Sequence, residues 1–374
     1  MYEIVRYDTA LKGEIATLQR HLWGGDVAAN TAYFEWKYEQ NPYFKEPLVY
    51  LAVTDGRVVG MRGMHGSRWE VGTPSETFLI PAAADLVIAP DHRGRGLFAR
   101  IMRAAVDDLA ARGYSCAFCL SPGPVTLAGS LATGWRAAGF MRPLRRETPT
   151  HQAARVLYEV LRKLPLPRWS VDATRSLAAS VERTPFNALD HRGRRPGTSR
   201  SLSLAQAPRV EAMADLVRRI GHDGRLRHVR DEIYLAWRFR NPLYDYRFLF
   251  WDGDCLEGYL VLQVYRFGLP RVVNIVDWEG TSPGVRAELL RAAIEWGQFP
   301  NLGVWAASLP EDTLTQLQDA SFVPFGHGPL ARYLPSVLVR AVPEDRRVAE
   351  LTLGGRRLLD SATWDMRMVY SMAG

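Results

Sequence analysis

Cysteine is scarce in this chain of 374 residues, and only three are present. Three cysteines cannot build a disulfide framework. Cys116 and Cys119 lie in a strand-like stretch, where residues three apart point to opposite faces, and no Cys/His pair follows at zinc-site spacing. Uncharged apolar runs of about 18 residues are also missing, as is a basic and apolar leader. We therefore predict a reduced, cytoplasmic protein with no metal and no membrane contact.

Lysine is equally scarce, because only four of the 47 basic residues are lysines and the rest are arginines. A net charge of +7 could attract nucleic acid, an anionic surface or a phosphate-rich small molecule. Arginine enrichment is also typical of a GC-rich coding sequence, so we do not expect nucleic acid on this ground. The length favours two or three domains, and 47% hydrophobic residues suffice for a large core.

The most informative segment joins a short apolar strand, Ala84–Ile88, to a helix that begins at Leu97 and ends at Gly113. The turn between them, residues 89–96, holds two arginines and two glycines. Glycines let backbone N–H groups approach an anion, and a helix start adds unpaired donors and a positive dipole. The turn lacks the endings of an ATPase P-loop and of a Rossmann loop. By itself it indicates either a phosphate site or a plain turn with exposed arginines.

Further patterns give the surroundings of this segment. Asp55-Gly56 predicts a hairpin, and another strand pair is expected around residues 72–75. A strand over Cys116–Leu120 is followed by a break at residues 121–124 and by a second helix, expected over Leu127–Ala138 and closed by Gly139-Phe140. Closing strands are predicted at Val337–Val342 and Trp364–Tyr370 near the end of the sequence.

This order of elements resembles the GNAT superfamily of acyl-CoA-dependent N-acyltransferases over residues 1 to 145, most specifically from Asp85 to Phe140. The resemblance implies an α/β (α+β) fold with a mixed central sheet flanked by helices. It implies acetyl-CoA, or another acyl-CoA, as co-substrate. Asp91 departs from the Gln or Arg that opens the family's loop consensus.

The resemblance also implies which residues hold the co-substrate. Backbone groups of Leu86, Val87 and Ile88 would pair with the pantetheine arm like an extra strand, and the pyrophosphate would lie on the turn. The implied binding residues are Leu86, Val87, Ile88, Arg93, Gly94, Arg95, Gly96, Leu97, Phe98 and Ser121.

Amine acylation further needs a base and an acid. Asp85 is the first candidate for the base, although it could equally be a strand-entry residue held by hydrogen bonds. His65 and Glu76 come next, and a lone histidine is more often structural. In the family the acid is a tyrosine four residues before the closing Gly-Phe pair, where this chain has Trp135. Cys119 is expected to be a small buried residue, because no histidine lies near it in the sequence.

Residues 230–242 repeat the pattern of residues 33–42, a Tyr-x-x-Trp-basic-aromatic run followed by Asn-Pro after one residue fewer. The repeat predicts a tandem of two GNAT folds. The expected domains are 1–145, a linker at 146–205 with a helix over Ala154–Leu164, and a degenerate copy at 206–374. The repeated aromatic residues are expected to be core, with the lining of an acceptor pocket as the alternative.

In the second copy, the segment expected to form the phosphate loop is residues 279–284. It carries Glu279 and Pro283 and no arginine. Glu279 has the wrong charge for a phosphate and Pro283 lacks an amide donor, so we expect this copy to bind no CoA. Its expected role is either to complete the acceptor pocket or to stabilise the first domain.

These observations predict a transferase that moves an acyl group from CoA to an amine of a small molecule. A non-catalytic acyl-CoA-binding regulatory module is one alternative, favoured by Trp135 and the degenerate copy. An aminoacyl-tRNA-dependent transferase is another, although such proteins typically lack an intact arginine-glycine loop. The sequence does not decide whether the protein forms a homodimer.

Overall fold

The structure, a computed structural model, describes residues 1–150, 186–193, 201–267, 272–325, 336–342 and 351–372. The strands are β1 Glu3–Arg6, β2 Leu48–Thr54, β3 Arg57–Val71, β4 Glu76–Ile88, β5 Cys116–Leu120, β6 Arg136–Phe140, β7 Pro143–Glu147, β8 Leu202–Ala205, β9 Arg227–His228, β10 Tyr244–Asp252, β11 Leu256–Tyr265, β12 Val273–Gly280, β13 Asn301–Trp305, β14 Val323–Pro324, β15 Ser336–Ala341, β16 Thr352–Leu353 and β17 Arg356–Arg357. The helices are α1 Lys12–Leu18, α2 Arg20–Trp23, α3 Val27–Phe34, α4 Leu97–Ala111, α5 Pro124–Ala132, α6 Asn187–Gly193, α7 Val210–Ile220, α8 Glu232–Arg238, α9 Pro283–Gly297 and α10 Glu311–Asp319.

The first sheet has the order β1-β2-β3-β4-β5-β15-β6, and β9 pairs with β3. All of its pairs are antiparallel except that of β4 with β5, which α4 connects. Asp55 and Gly56 turn the chain between β2 and β3 at φ of 51° and 72°, so the predicted hairpin is confirmed. The strand pair predicted around residues 72–75 is also present, but β4 is one long strand where two short ones were expected.

The second sheet has the order β14-β7-β13-β12-β11-β10-β8, and its only parallel pair is β12 with β13, which α9 connects. In each sheet, one of the two strands that flank the parallel pair comes from the other half of the chain. β15 lies between β5 and β6, and β7 lies between β13 and β14. The predicted boundary at residue 145 therefore falls inside β7, and the predicted C-terminal unit contributes both β9 and β15 to the first sheet.

The two repeated motifs meet in the core, as their aromatic residues predicted. Trp36 and Trp237 stack with ring centroids 4.8 Å apart, and each indole N–H donates to the other's backbone carbonyl, at 2.7 and 2.8 Å. The first motif has one residue more because it ends in a π-helical turn, Glu35–Glu39, closed by the Gln40 N–H on the Glu35 carbonyl. The π-helical turn thus accommodates the extra residue, and Trp36 and Trp237 still stack.

Two expectations about local structure are wrong. The second helix, α5, ends at Ala132 instead of continuing to Ala138, because Gly134 adopts φ of 91° and the Trp135 N–H closes a Schellman motif on the Ser130 carbonyl. Residues 136–140 then form β6. The Trp364–Tyr370 segment is not a strand: it is a buried irregular stretch that ends in a 3-10 turn at Met368–Tyr370.

Parts of the predicted linker also form regular structure. The helix expected over Ala154–Leu164 lies outside the described residues. Asp190 and Arg192 lie in α6, where the Asp190 carboxylate accepts two hydrogen bonds of 2.6 Å from Arg247. Within the described ranges, no helix combines the length and the apolar character needed to cross a membrane.

Candidate active site

The parallel strands β4 and β5 separate soon after they meet. Ala82 and Phe118 are the one pair of facing residues in the ladder between the two strands. Beyond Ala82, the rest of β4 pairs with β3 alone. The edge of β4 that includes Leu86, Val87 and Ile88 therefore has no strand partner on the β5 side among the described residues. Such an edge offers backbone donors and acceptors to an extended ligand, which is the arrangement predicted for the pantetheine arm.

The turn after β4 leaves the start of α4 open. Gly94 and Gly96 adopt φ of 72° and 71°, and no atom lies within 4 Å of the position that a Cβ would take at either glycine. No side chain caps α4. The first N–H groups of a helix lack intrahelical partners and carry the positive end of its dipole. This turn can therefore accept an anion such as a diphosphate.

Exposed arginines surround the open turn. The Arg93 Nε donates to the Ile88 carbonyl at 3.1 Å, and an Arg95 guanidinium nitrogen donates to the Tyr2 hydroxyl at 2.8 Å. The same hydroxyl lies 2.9 Å from the His92 Nδ1. Tyr2 thus holds the turn from a position some ninety residues away in the chain, and no local pattern in the sequence points to it.

The first two residues of α4 complete the predicted co-substrate site. The Leu97 side chain is buried in the core, whereas the Phe98 ring lies against α5, where a Cβ on Gly129 would be 2.9 Å from it. Their side chains therefore anchor the helix, and their backbone N–H groups belong to its open first turn.

Asp85, the first candidate for the base, faces α3 instead. It has φ of 51° at the point where the register between β3 and β4 shifts. Its carboxylate accepts hydrogen bonds from the Tyr38 hydroxyl at 2.7 Å, the Lys37 Nζ at 3.1 Å and the Tyr33 hydroxyl at 3.4 Å. The carboxylate therefore already holds three donors and fixes the irregularity in β4.

This group of side chains is enclosed by protein. The Lys37 and Asp85 side chains are 1% and 2% exposed. Burial lowers the pKa of Lys37, and Asp85 offsets this only in part. Burial and the charge of Asp85 raise the pKa of Tyr33 and Tyr38 well above the ordinary value. A base role for Asp85 stays a prediction, and the geometry favours the structural alternative.

The other candidates for acid and base chemistry are either buried or far from the open turn. His65 is buried near Trp237, and burial together with the charge of Lys37 lowers its pKa well below 6.5. Glu76 is exposed at the opposite end of β4 from the open turn. Cys119 is buried, as predicted, and accepts a hydrogen bond of 3.6 Å from Arg62.

Trp135 does not stand where the acid was expected. The glycine that ends α5 is Gly134, and Trp135 is a fully buried residue after the helix. Counting four residues back from Gly134 gives Ser130, whose hydroxyl is buried with no hydrogen-bond partner among the described residues. A serine hydroxyl is a far weaker acid than a tyrosine, so this position supplies no strong proton donor.

A cavity of about 530 Å³ lies where the two halves meet, next to the end of β5. Residues Ser121–Pro124 line it from the first half, and β12 and β13 line it from the second. Its aromatic lining consists of Trp23, Tyr244, Tyr265, Trp305 and Phe325.

Ser121, predicted to bind the co-substrate, lies on the wall of this cavity. It adopts φ of 48°, its N–H donates to the Ser336 carbonyl at 2.8 Å, and its hydroxyl lies 2.9 Å from the Ser371 hydroxyl. Both groups are therefore already engaged within the protein. The sequence signal for the cavity itself was only the break at residues 121–124.

The connection between β12 and α9 differs from the phosphate-type loop predicted for the second copy at residues 279–284. Glu279 lies in β12, which continues to Gly280, and not in a loop. Its buried carboxylate accepts from Arg230 at 2.5 Å and lies 2.8 Å from an Arg367 nitrogen. Thr281 and Ser282 alone join β12 to α9. The described residues contain no group of three or more His, Cys, Asp or Glu side chains that could hold a metal ion.

Comparison with known proteins agrees with this geometry. Residues 13–131 match the family model of an acetyltransferase (GNAT) domain. A GCN5-related N-acetyltransferase from Anabaena variabilis ATCC 29413 superposes with a TM-score of 0.59 at 13% identity, over 95% of this chain and 76% of that chain. A protein of Enterococcus faecalis V583, described as a probable N-acyltransferase, gives 0.57 at 12% identity, over 91% and 73%. No curated protein matches the sequence.

At these identities the structural likeness shows the fold, which is the mixed α/β fold of GNAT acetyltransferases. The family model and this fold together support an acetyltransferase.

Proposed function

We propose that this protein is an acyl-CoA-dependent N-acyltransferase, with acetyl-CoA as the donor and an amine of a small molecule as the acceptor. The observation that carries the proposal is the uncapped start of α4 beside the unpaired edge of β4. Open amides, a helix dipole and two exposed arginines suit a diphosphate. The adjoining gap suits an extended arm that ends in a thioester.

In this reaction the amine nitrogen attacks the thioester carbon, a C–N bond forms, and the C–S bond breaks. The proton lost by the nitrogen ends on the thiolate or in solvent. None of Asp85, His65 and Glu76 lines the cavity. We therefore propose that the acceptor arrives as the neutral amine and that water takes the proton, with no side chain acting as a dedicated base.

The second half would complete the acceptor site. The reciprocal pair of Trp36 and Trp237 and the matching strand orders support a tandem of two GNAT-like units, with boundaries near 145 and 206 and with strands exchanged between the two sheets. Under this proposal, the first unit binds acetyl-CoA, and the second provides the far wall of the cavity and binds none.

Calorimetric titration with acetyl-CoA tests the proposal, and we expect one site per chain. Arg95→Glu should weaken binding tenfold or more, because it reverses a charge beside the open turn. Arg103→Glu makes the same charge change on an exposed residue further along α4 and should stay within twofold of the wild type. Thiol release on a panel of amines then separates an enzyme from a binding module. No binding at millimolar acetyl-CoA would overturn the proposal.

A further inference from the structure

The cavity between the halves adjoins the end of β5, which is one of the two strands that flank the gap. The two strands are parallel, so their C-terminal ends point to the same edge of the sheet. β4 ends there at Ile88, before the open turn, and β5 ends at Leu120, directly before the cavity wall at Ser121–Pro124. An acyl group carried along the edge of β4 would thus meet an acceptor held in the cavity.

The lining of this cavity is more apolar than polar and includes five aromatic side chains, and no acidic residue belongs to it among the described residues. Its polar side chains include Asn274 and Arg145, and the guanidinium of Arg145 lies 3.6 Å from the centroid of the Phe325 ring.

This chemistry discriminates between classes of amine. A polycation loses hydration on entering an apolar cavity and needs carboxylates to compensate. Aromatic faces attract a cation, but Arg145 already covers the Phe325 ring. An aromatic or bulky apolar body gains free energy from burial against the same walls. A lone amine in a cavity without carboxylates also favours its neutral form, which is the nucleophile.

We propose that the acceptor is a monoamine with an aromatic or bulky apolar body, and that the cavity rejects polyamines and aminoglycosides. The inference rests on the proposed acyltransferase function. The cavity volume, about 530 Å³, lies within the roughly 300–1,000 Å³ typical of small-molecule sites.

Acyl transfer from acetyl-CoA to 2-phenylethylamine and tryptamine, compared with spermidine and kanamycin, tests this selectivity. We expect kcat/KM to be at least tenfold higher for the two aromatic monoamines. Asn274→Asp puts a carboxylate of nearly the same size into the wall and should raise the kcat/KM for spermidine relative to 2-phenylethylamine severalfold. A wild-type preference for spermidine or kanamycin would overturn the inference and leave the proposed function standing.

A variant that fills the cavity tests its location. Gly123 has φ of −61° and nothing within 4 Å of the position that a Cβ would take, so Gly123→Phe fits the backbone and occupies the cavity. It should raise the KM for 2-phenylethylamine tenfold or more and leave acetyl-CoA affinity within twofold. Gly13→Phe, at an exposed glycine of α1 with equal room, is the matched control and should change neither value.

Direct binding separates this inference from the proposed function. Calorimetry with 2-phenylethylamine alone should show binding to the wild type and to Gly13→Phe, and a tenfold or greater loss in Gly123→Phe. Equal binding by all three proteins would place the amine elsewhere and overturn the inference. Failure of acetyl-CoA to bind would overturn the proposed function. The amine titration would still test whether 2-phenylethylamine binds in the cavity.

Discussion

Two strand-to-helix connections occupy the same place in the two sheets, and they present their helix starts to solvent very differently. Before α4, residues 89–96 form a wide turn whose two glycines have positive φ, and no side chain caps the helix. Before α9, the Ser282 hydroxyl accepts from the Val285 N–H at 3.3 Å, and Pro283 has no N–H to offer. A helix dipole alone therefore does not make an anion site. The N–H groups must also be left open by the chain's own side chains.

The space in front of α9 is also filled. Arg286 donates to the Gly280 carbonyl at 3.1 Å and to the Asp312 carboxylate at 2.7 Å, so its side chain crosses the short connection. A Cβ on Gly280 would meet the Arg286 side chain at 2.8 Å. In front of α4, no atom lies near either glycine of the turn. The comparison predicts one co-substrate site per chain and assigns it to α4.

Buried charge distinguishes the two connections further. Burial alone would raise the pKa of the Glu279 carboxyl, but Arg367 and Arg230 together hold it below its ordinary value of 4.5. Glu279→Ala removes this carboxylate and leaves the two cations partly uncompensated, so the free energy of unfolding should fall by about 3 kcal/mol. Urea denaturation measures this loss. Glu288→Ala, on the outer face of α9 in a pair with Arg291, should cost under about 0.5 kcal/mol.

The pH dependence of that loss has a defined sign. Because the folded pKa is depressed, the stabilisation by Glu279 is present above pH 4.5 and disappears as the pH falls through the lower folded value. The difference between wild type and Glu279→Ala should therefore shrink in acid. Calorimetry of the variant should still give one acetyl-CoA site per chain. Two sites would mean that Glu279 blocks a second site electrostatically.

A proline in each turn tests the open connection directly. Gly94→Pro removes an N–H and demands a negative φ where the structure has 72°. A hydrogen bond to a charged group contributes about 1.5–3 kcal/mol, so with the displaced turn we expect acetyl-CoA binding to weaken about 100-fold or more. Gly284→Pro likewise removes an N–H, at the second position of α9, where the backbone has no positive φ to forbid proline and the first helical turn tolerates it. Equal affinities for the two variants would contradict the assignment of the site to α4.

The features that could be predicted from sequence are those with local signals. Asp55-Gly56 specifies its own hairpin because both residues tolerate positive φ, and the turn before α4 carries its glycines and arginines in one stretch. The sequence pattern places the end of α5 too late, because Leu127, Leu131 and Trp135 continue a helical spacing across Gly134. Trp135 is buried by the core beneath α4, and burial has the same apolar signature in a helix and in a strand.

The features that could not be predicted depend on pairs far apart in the chain. β15 takes its place between β5 and β6, and nothing in the sequence of residues 336–341 specifies that neighbour rather than β14. The partners of Asp85 are likewise set by tertiary structure: Lys37 and Tyr38 lie on a π-helical turn that faces the irregularity in β4. From sequence alone an acidic residue on a strand is a candidate base, because its donors lie on an element almost fifty residues earlier in the chain.

The smallest expected effect concerns the cap of the second connection. Ser282→Ala removes the hydroxyl that accepts from Val285, and loss of such a cap costs about 1 kcal/mol of unfolding free energy. It frees one N–H, but Pro283 still offers none and Arg286 still fills the space, so no second acetyl-CoA site should appear. Urea denaturation measures the first value and calorimetry the second. A second acetyl-CoA site in Ser282→Ala would show that the Ser282 cap alone, and not the Arg286 side chain that fills the connection, prevents binding at α9.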